Sequence, residues 1–460
     1  LGDFAFPCFI LSKEWKKSPA QIATELKNSF SSKLFSAKAV GPYLNFTVTD
    51  TDFIPQTIST ILKSKNIIGP DSRFQNTVSL IESPSPNTNK PLHLGHMRNM
   101  LLGQSITNIK RALGQNVKIV NVINDRGIHI CKSMLAYQKW GNGETPQSTN
   151  TKPDTFVGNY YVKYSQEVKQ NPQLEEEAQA MLLAWEQGDK EVIKLWKQMN
   201  EWVYDGFNTT YTLLDFQIDK NYFESNLYTH GKELVVEGVQ KGIFFKEEDG
   251  STIVDLTNKK LDKKVLLRSD GTSVYITQDL YLAKLRYDDY KYDEMIYVVG
   301  NEQEYHFKVL FEIFKLLDYP FAHQCHHFSY GMIELPEGKM KSREGTVVDI
   351  DELVVQTKKL AVDAIKERFF DIDEKEVQSR AKMIAMGAIR FFFLKFDPVK
   401  NFVYDPQASL AFEGETGPYV QYTHARIASI LRKSTGEMSK EDFSKLNTVE
   451  DKQIVQLLSE

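Results

Sequence analysis

The sequence predicts an α/β protein built on a doubly wound parallel sheet, with a helical insertion, a small α/β domain ahead of it and an α-helical domain behind it. Three observations carry that expectation. Residues 78–122 run as strand, loop, helix and strand. A strand at Glu294–Val299 leads into a second helical pattern through Phe307, Leu310, Phe311 and Phe314. Between them, from about 137 to 262, the periodicity changes to long, charged, aromatic-rich helices.

Taken in order, Ser18-Pro19-Ala20-Gln21 has the spacing of a capping box with proline at the first helical position, and Ile22, Leu26 and Phe30 share the face that follows. A strand at Tyr43–Val48 and a helix from about Asp52 to Lys65, closed by Gly69-Pro70, complete a unit ending near residue 72. The β-rich run Val78–Ile81 enters a loop punctuated by Pro84, Pro86 and Pro91. A helix then carries Leu94, Met97, Leu101, Ile106, Ile109 and Leu113 to a stop at Gly114. In such a βαβ unit a ligand lies beyond the carboxyl end of the first strand, where the free N–H groups of the helix favour an anion. His93 and His96 stand there, three apart on one face, with Gly95 between them leaving room for a purine or a phosphate.

The strand at 117–123 ends in the polar loop Asn124–His129, at the same ligand edge. In the helical block Leu182, Trp185, Val192, Leu195, Trp196, Met199 and Val203 recur at core spacing. Residues 141–155 show no periodicity and read as a mobile surface loop. From about 265 the Asp270-Gly271 turn is expected to join two strands as a hairpin. That places Asp279, like Glu82, at a strand end, unless Asp279 caps a helix beginning at Leu280. The strand Glu294–Val299 ends at Gly300–His306, a segment at His326–Ile333 precedes the loop Gly338–Val347, and helical pattern dominates from 351 onward.

Fifty-six basic and 61 acidic residues give a net charge of −5, which argues against a chain that coats nucleic acid without specificity. Cys8, Cys131 and Cys325 are too few and too scattered for a disulfide framework or a four-thiolate metal site, so they are expected as core residues in a reducing compartment. No His, Cys and Asp cluster has metal-ligand spacing. No run of 18 apolar residues and no leader pattern appears. The chain starts at Leu1 and stops at Glu460 inside a helical pattern, which reads as a fragment.

The string Ser85-Pro86-Asn87-Thr88-Asn89-Lys90-Pro91-Leu92-His93-Leu94-Gly95-His96 resembles the first signature of class I aminoacyl-tRNA synthetases, in the form found in arginyl-tRNA synthetases. The resemblance extends over five ordered segments, at 82–96, 269–279, 299–306, 330–347 and 411–427. It implies a Rossmann-like catalytic domain at 73–355 with the insertion at about 137–262. Residues 1–72 would contact tRNA, or only pack on the catalytic domain, and 356–460 would begin a truncated anticodon-binding domain. The chemistry implied is attack of the arginine carboxylate on the α-phosphorus of ATP, followed by transfer of the arginyl group to tRNA(Arg).

In that resemblance His93 and His96 contact ATP phosphates, Gly95 makes room for adenine, Met332 lies in the ATP site, and the loop at 338–346 closes over the triphosphate as the second signature. The loop reads Lys339-Met340-Lys341-Ser342-Arg343, with serine where the second lysine should stand. Lys90 is the implied replacement, with Lys339 and Lys341 the loop's own catalytic lysines and Met340 and Ser342 at the nucleotide. Glu82, Ser85 and Asn87, beside His93, would hold the backbone of the arginine substrate, and Tyr275, Asp279 and Gln303 would read its guanidinium. A planar fork of donors is best matched by a carboxylate. Gln278 replaces the arginine usual in that motif, leaving open any ion pair made there. Tyr419, Tyr422 and Arg426 offer stacking faces and a cation to single-stranded RNA, or pack as ordinary helix residues. ATP with Mg²⁺, arginine and tRNA(Arg) are the implied partners of a cytoplasmic monomer with no membrane contact and no structural metal. Two rivals remain: another class I synthetase or small nucleotidylyltransferase, against which Asp279, Gln303 and 411–427 speak, and a silent tRNA-binding relative, which would have lost His93, His96 or the loop.

Overall fold

The computed structural model describes residues 2–64, 70–334, 349–411, 413–434 and 443–459. Two compact units form: Leu1–Gly69 with Arg432–Glu460, and Pro70–Leu431.

In the first unit, β1 (Phe4–Pro7), α1 (Phe9–Trp15), α2 (Pro19–Ser29), β2 (Phe35–Val40), β3 (Tyr43–Val48) and α3 (Asp50–Lys63) follow in sequence. The strands pair antiparallel in the order β1-β3-β2, and Cys8, Ile22, Ala23 and Leu44 form the core. Ser18 and Gln21 make the expected capping box, Ser18 Oγ accepting from Gln21 N at 3.3 Å and Gln21 Oε1 from Ser18 N at 3.1 Å. The helix Val449–Ser459 belongs here and not with the helices before it. It packs on α3, buries Val455, and ties Gln456 Nε2 to Asp3 Oδ1 at 3.0 Å. The compact units thus differ in extent from the expected segments 1–72 and 356–460, because a helix distant in sequence packs on α3.

The second unit starts with β4 (Val78–Glu82), α4 (Leu94–Ala112), β5 (Asn116–Ile123), α5 (Ile128–Trp140), α6 (Pro146–Thr149), α7 (Pro153–Glu167), α8 (Leu174–Glu186), α9 (Lys190–Leu214) and β6 (Lys220–Phe223). It continues with α10 (Glu224–Leu227), α11 (Gly231–Gln240), β7 (Phe245–Lys246), β8 (Thr252–Val254), β9 (Lys264–Leu267), α12 (Tyr275–Tyr290), β10 (Glu294–Gly300), α13 (Glu304–Leu316) and β11 (Cys325–Tyr330). β12 (Ile333–Glu334), α14 (Ile350–Arg368), α15 (Glu374–Leu394), β13 (Phe402–Val403), α16 (Pro406–Ser409) and α17 (Gly417–Lys433) follow, the last crossing the boundary between the units.

The central sheet is parallel throughout, in the order β11-β10-β4-β5-β6. Strand alternation sorts its two faces. Leu80, Val120, Met295 and Tyr297 pack with Leu280 of α12 and Leu310 of α13, while Ile81, Val117, Ile296 and Val298 pack with Leu102 of α4. The chain winds outward from β4 in one direction and from β10 in the other. The switch point, and hence the ligand crevice, therefore lies where Glu82 and Tyr297 stand in register.

Three expectations are corrected. Residues 220–223 form the edge strand of the central sheet, so the helical insertion closes before them; Lys-Asn-Tyr-Phe is too short and polar to announce a strand. The stretch 141–155 contains α6, capped by Thr145 Oγ1 on Ser148 N at 3.2 Å, and the start of α7 at Pro153. The hairpin at 270–271 is reduced to one bridge, Leu267 with Ser273, and residues 275–290 are helix. Tyr-Ile-Thr favours a strand locally, but Ile276, Leu280 and Ala283 bury one helical face against the sheet, and that burial overrides propensity. Asp279 is thus neither at a strand end nor a cap: it sits one turn into α12.

Candidate active site

The loop 83–93 delivers α4 to the carboxyl edge of the sheet, and the histidines close the helix's own N-terminus. His93 is the N-cap residue and its Nδ1 accepts from Gly95 N at 3.1 Å. His96, three residues on, accepts His93 N at its own Nδ1, also at 3.1 Å. Each ring therefore uses Nδ1 as acceptor, which puts the proton on Nε2 and makes each imidazole a donor at that atom. Burial, with Lys90 nearby, pushes His93 down to about 3, and burial with His93 and Lys90 holds His96 well below the usual range, so both are neutral donors. Lys90 is also lowered by burial. A side chain at Gly95 would stand 3.0 Å from His93 Cε1 and displace that ring. Gly158 of α7 lets the insertion pack directly under Pro91, whose Cδ lies 2.6 Å from where a Cβ would be.

Arg98, the next residue but one, is buried and holds the strand ends opposite. Its guanidinium donates to the carbonyls of Gly331 at 2.6 Å, Pro398 at 3.0 Å and Lys400 at 3.0 Å, and lies 4.7 Å from the Phe402 ring. Met332 is thereby fixed at the end of β11, half exposed, its N–H donating to Asn401 Oδ1 at 2.7 Å. Asp349 caps α14 and makes a backbone bridge with His93. Lys339, Met340, Lys341 and Ser342 lie outside the described residues.

On the amino-acid side, α12 presents Tyr275, Asp279 and Arg286 along one stripe, four and seven residues apart. Tyr275 is 72% exposed. Asp279 Oδ2 accepts from His306 Nε2 of α13 at 2.7 Å, which fixes the carboxylate's direction. Gln303, one turn earlier, is exposed, as is Asn87 across the crevice. Glu82, expected to hold the substrate's backbone, has both carboxylate oxygens engaged by the protein. One oxygen pairs with Arg286 and the other accepts from Ser85 Oγ at 2.9 Å.

At the end of β6, Glu224 is buried beside Gln278. Burial pushes its carboxyl up to about 7, with Asp125 and Asp279 adding to the rise and Arg126 and Gln278 opposing it. A folded value above the unfolded one means that the native state holds the proton over a range where the unfolded chain has lost it, so stability falls as pH rises from about 4.5 to about 7. Glu224→Gln should remove roughly 2 to 3 kcal/mol of that decline between pH 5 and pH 8, measured by urea unfolding. A variant whose stability drops as steeply as the parent's would show that the carboxyl is ionised throughout.

Farther along the chain, Tyr419, Tyr422 and Arg426 are exposed on α17. Arg426 Nη1 donates to Tyr422 Oη at 2.8 Å with its guanidinium 5.7 Å from that ring, so a cation and an aromatic face are presented together.

The sequence family described as tRNA synthetases class I (R), catalytic domain, matches residues 57–406, and the arginyl tRNA synthetase N terminal domain matches residues 1–48. The chain belongs to the class I tRNA synthetases of the arginyl family. The arginine–tRNA ligase of Treponema denticola is 49% identical over 456 residues, covering 97% of this chain and 77% of that protein. That of Amoebophilus asiaticus is 46% identical over 455 residues, covering 94% and 76%. Among solved structures, Thermus thermophilus arginyl-tRNA synthetase superposes with a TM-score of 0.83 at 28% identity, covering all of this chain and 81% of its own.

Sequence reasoning missed Arg98, Glu224, Arg286 and His306. His306 was within reach, since it stands at the head of the helix that follows Gln303. Nothing in the sequence pairs Arg286 with Glu82, 204 residues away.

Proposed function

We propose that this member of the family is an arginine–tRNA ligase, which activates arginine with ATP, releases pyrophosphate, and passes the arginyl group to the 3′-terminal ribose of tRNA(Arg). The observation that supports it most is the pair of imidazoles, both donors at Nε2, at the N-terminus of α4, beside a crevice in which Asp279 is aimed by His306. Attack of a carboxylate on a phosphorus needs positioning and positive potential more than a protein nucleophile. Neutral His93 and His96 donate to phosphate oxygens without an ammonium's desolvation cost, and Lys90 adds the charge that pyrophosphate requires on leaving. Met332 and Gly95 line the adenine side. Asp279, Tyr275 and Gln303 receive the guanidinium, while Ser85, Asn87 and Glu82 face the substrate's backbone. ATP would arrive as its magnesium complex, the ion adding to charge neutralisation. Among the described residues no group of three His, Cys, Asp or Glu is placed to hold a metal of the protein's own.

ATP–pyrophosphate exchange with each amino acid, with and without total tRNA, tests the reading. Exchange supported by arginine, and raised by tRNA, is expected; exchange with a different amino acid overturns it. The reading also places the enzyme in the cytoplasm, as a monomer.

Recognition of tRNA by local basic surface, despite a net charge of −5, should weaken steeply with salt. Trimming the chain to residues 70–431 removes the whole first unit, including its sequence-distant helix. Affinity for tRNA should fall by roughly tenfold or more, with ATP affinity unchanged. Equal tRNA affinity before and after trimming would leave that unit a packing role.

A further inference from the structure

The crevice already contains a guanidinium that belongs to the protein. Arg286 is 0% exposed, lies 5.3 and 5.9 Å from the rings of Tyr222 and Tyr297, and donates from Nη1 to Glu82 Oε2. Burial opposes its charge, and Glu82 together with the Tyr297 and Tyr222 hydroxyls more than offsets that, so it remains a cation. The second oxygen of Glu82 takes the hydroxyl proton of Ser85 at 2.9 Å. A serine hydroxyl has one proton to give and two acceptor positions. The proton is directed inward, one acceptor position takes Val122 N–H at 3.4 Å, and one is left. The backbone of Ser85 is held in the left-handed region at φ +55°, with its N–H on Asn121 Oδ1 at 2.8 Å and its carbonyl accepting from Asn124 Nδ2 at 3.3 Å.

We propose that Arg286 is a positioning residue for the α-ammonium of the amino-acid substrate: it holds one oxygen of Glu82 so that the other orients the Ser85 hydroxyl as an acceptor for that ammonium. By matching the charge of Glu82, it also leaves Asp279 as the carboxylate that reads the substrate's own guanidinium. The inference rests on the arginine-ligase reading and adds a residue to it.

The relay has a direction, and that makes it testable. In Glu82→Gln the single amide oxygen stays on Arg286, the amide nitrogen donates to Ser85 Oγ, and the hydroxyl proton is turned out toward the ammonium, where it repels. Calorimetric titration of the whole chain with arginine and with 5-guanidinopentanoate, which keeps the guanidinium and carboxylate but lacks the α-amino group, reads the effect. Glu82→Gln and Arg286→Met should each weaken arginine binding by roughly tenfold or more, the weight of one charge-assisted hydrogen bond. Arg286→Lys should lose less, and the analogue's affinity should change by less than about threefold in all three, against the roughly tenfold set by that bond. General loosening of the pocket would instead weaken both ligands together. Parallel loss of both ligands, or an undiminished preference for arginine, overturns the proposal. If Arg286→Met does not fold, Glu82→Gln and Arg286→Lys decide the matter by the same ratio. A parent chain that binds neither ligand would overturn the ligase reading, and this proposal with it.

Discussion

Replacing Asp279 by asparagine should raise the arginine KM by roughly 10² or more, on the order of 3 kcal/mol for a lost charge-assisted pair. The size of the effect follows from how few carboxylates the crevice has to spare. Glu82 is matched by Arg286, and Glu224 holds its proton up to about pH 7. Asp279 is left, half exposed at the head of α12, with one oxygen taken by His306 and one free. An asparagine there presents at most one acceptor and no charge, so the guanidinium would enter a desolvated site with donors unmet. Because the loss falls on ground-state and transition-state binding alike, KM should move much more than kcat. An unchanged arginine KM in Asp279→Asn would remove Asp279 from the pocket.

The route by which Asp279 reaches that position was only partly legible. The βαβ unit and its histidines were readable because strand, turn, cap and helix lie within 45 consecutive residues, and every signal for them is local. Asp279 was expected at a strand end and lies instead within a helix. The aromatic and β-branched start of α12 mimics a strand, and only the sheet beneath Ile276 and Leu280 decides for helix. The edge strand β6 was hidden for the opposite reason, since its pairing to β5 comes from neighbours and not from its own four residues. Long-range polar contacts could not be read at all. Arg98 donates to carbonyls 233 to 302 residues away, and a lone arginine in a helix gives no sign of which backbone it will bind. Capping chemistry fared better: the three-residue spacing of His93 and His96 indicated one face, and the structure turns that spacing into a reciprocal cap that fixes both tautomers.

Replacing Lys90 by methionine should lower kcat for adenylate formation by roughly 10² or more with little change in arginine affinity. The expectation comes from counting positive charge near the triphosphate. The usual class I loop brings two lysines to the departing pyrophosphate, and here Ser342 stands in place of the second. His93 and His96 cannot supply the missing charge, because burial keeps both neutral. Lys90 stands three residues before the cap of α4, and its ammonium is felt electrostatically by both histidines. Its place on the loop that enters α4 at the His93 cap is what assigns it to the triphosphate in this reading. Burial lowers its pKa, so the charge is held at a desolvation cost in the free enzyme, and a triphosphate beside it would relieve that cost. Such a charge acts most strongly where negative charge develops, so the loss should appear in kcat. Methionine keeps the packing of the stem against its surroundings and removes only the ammonium. Adding Ser342→Lys to Lys90→Met should recover part of the rate by restoring the usual lysine in the loop. Near-normal turnover in Lys90→Met, together with a large loss in Lys341→Met, would instead transfer the role to the loop itself.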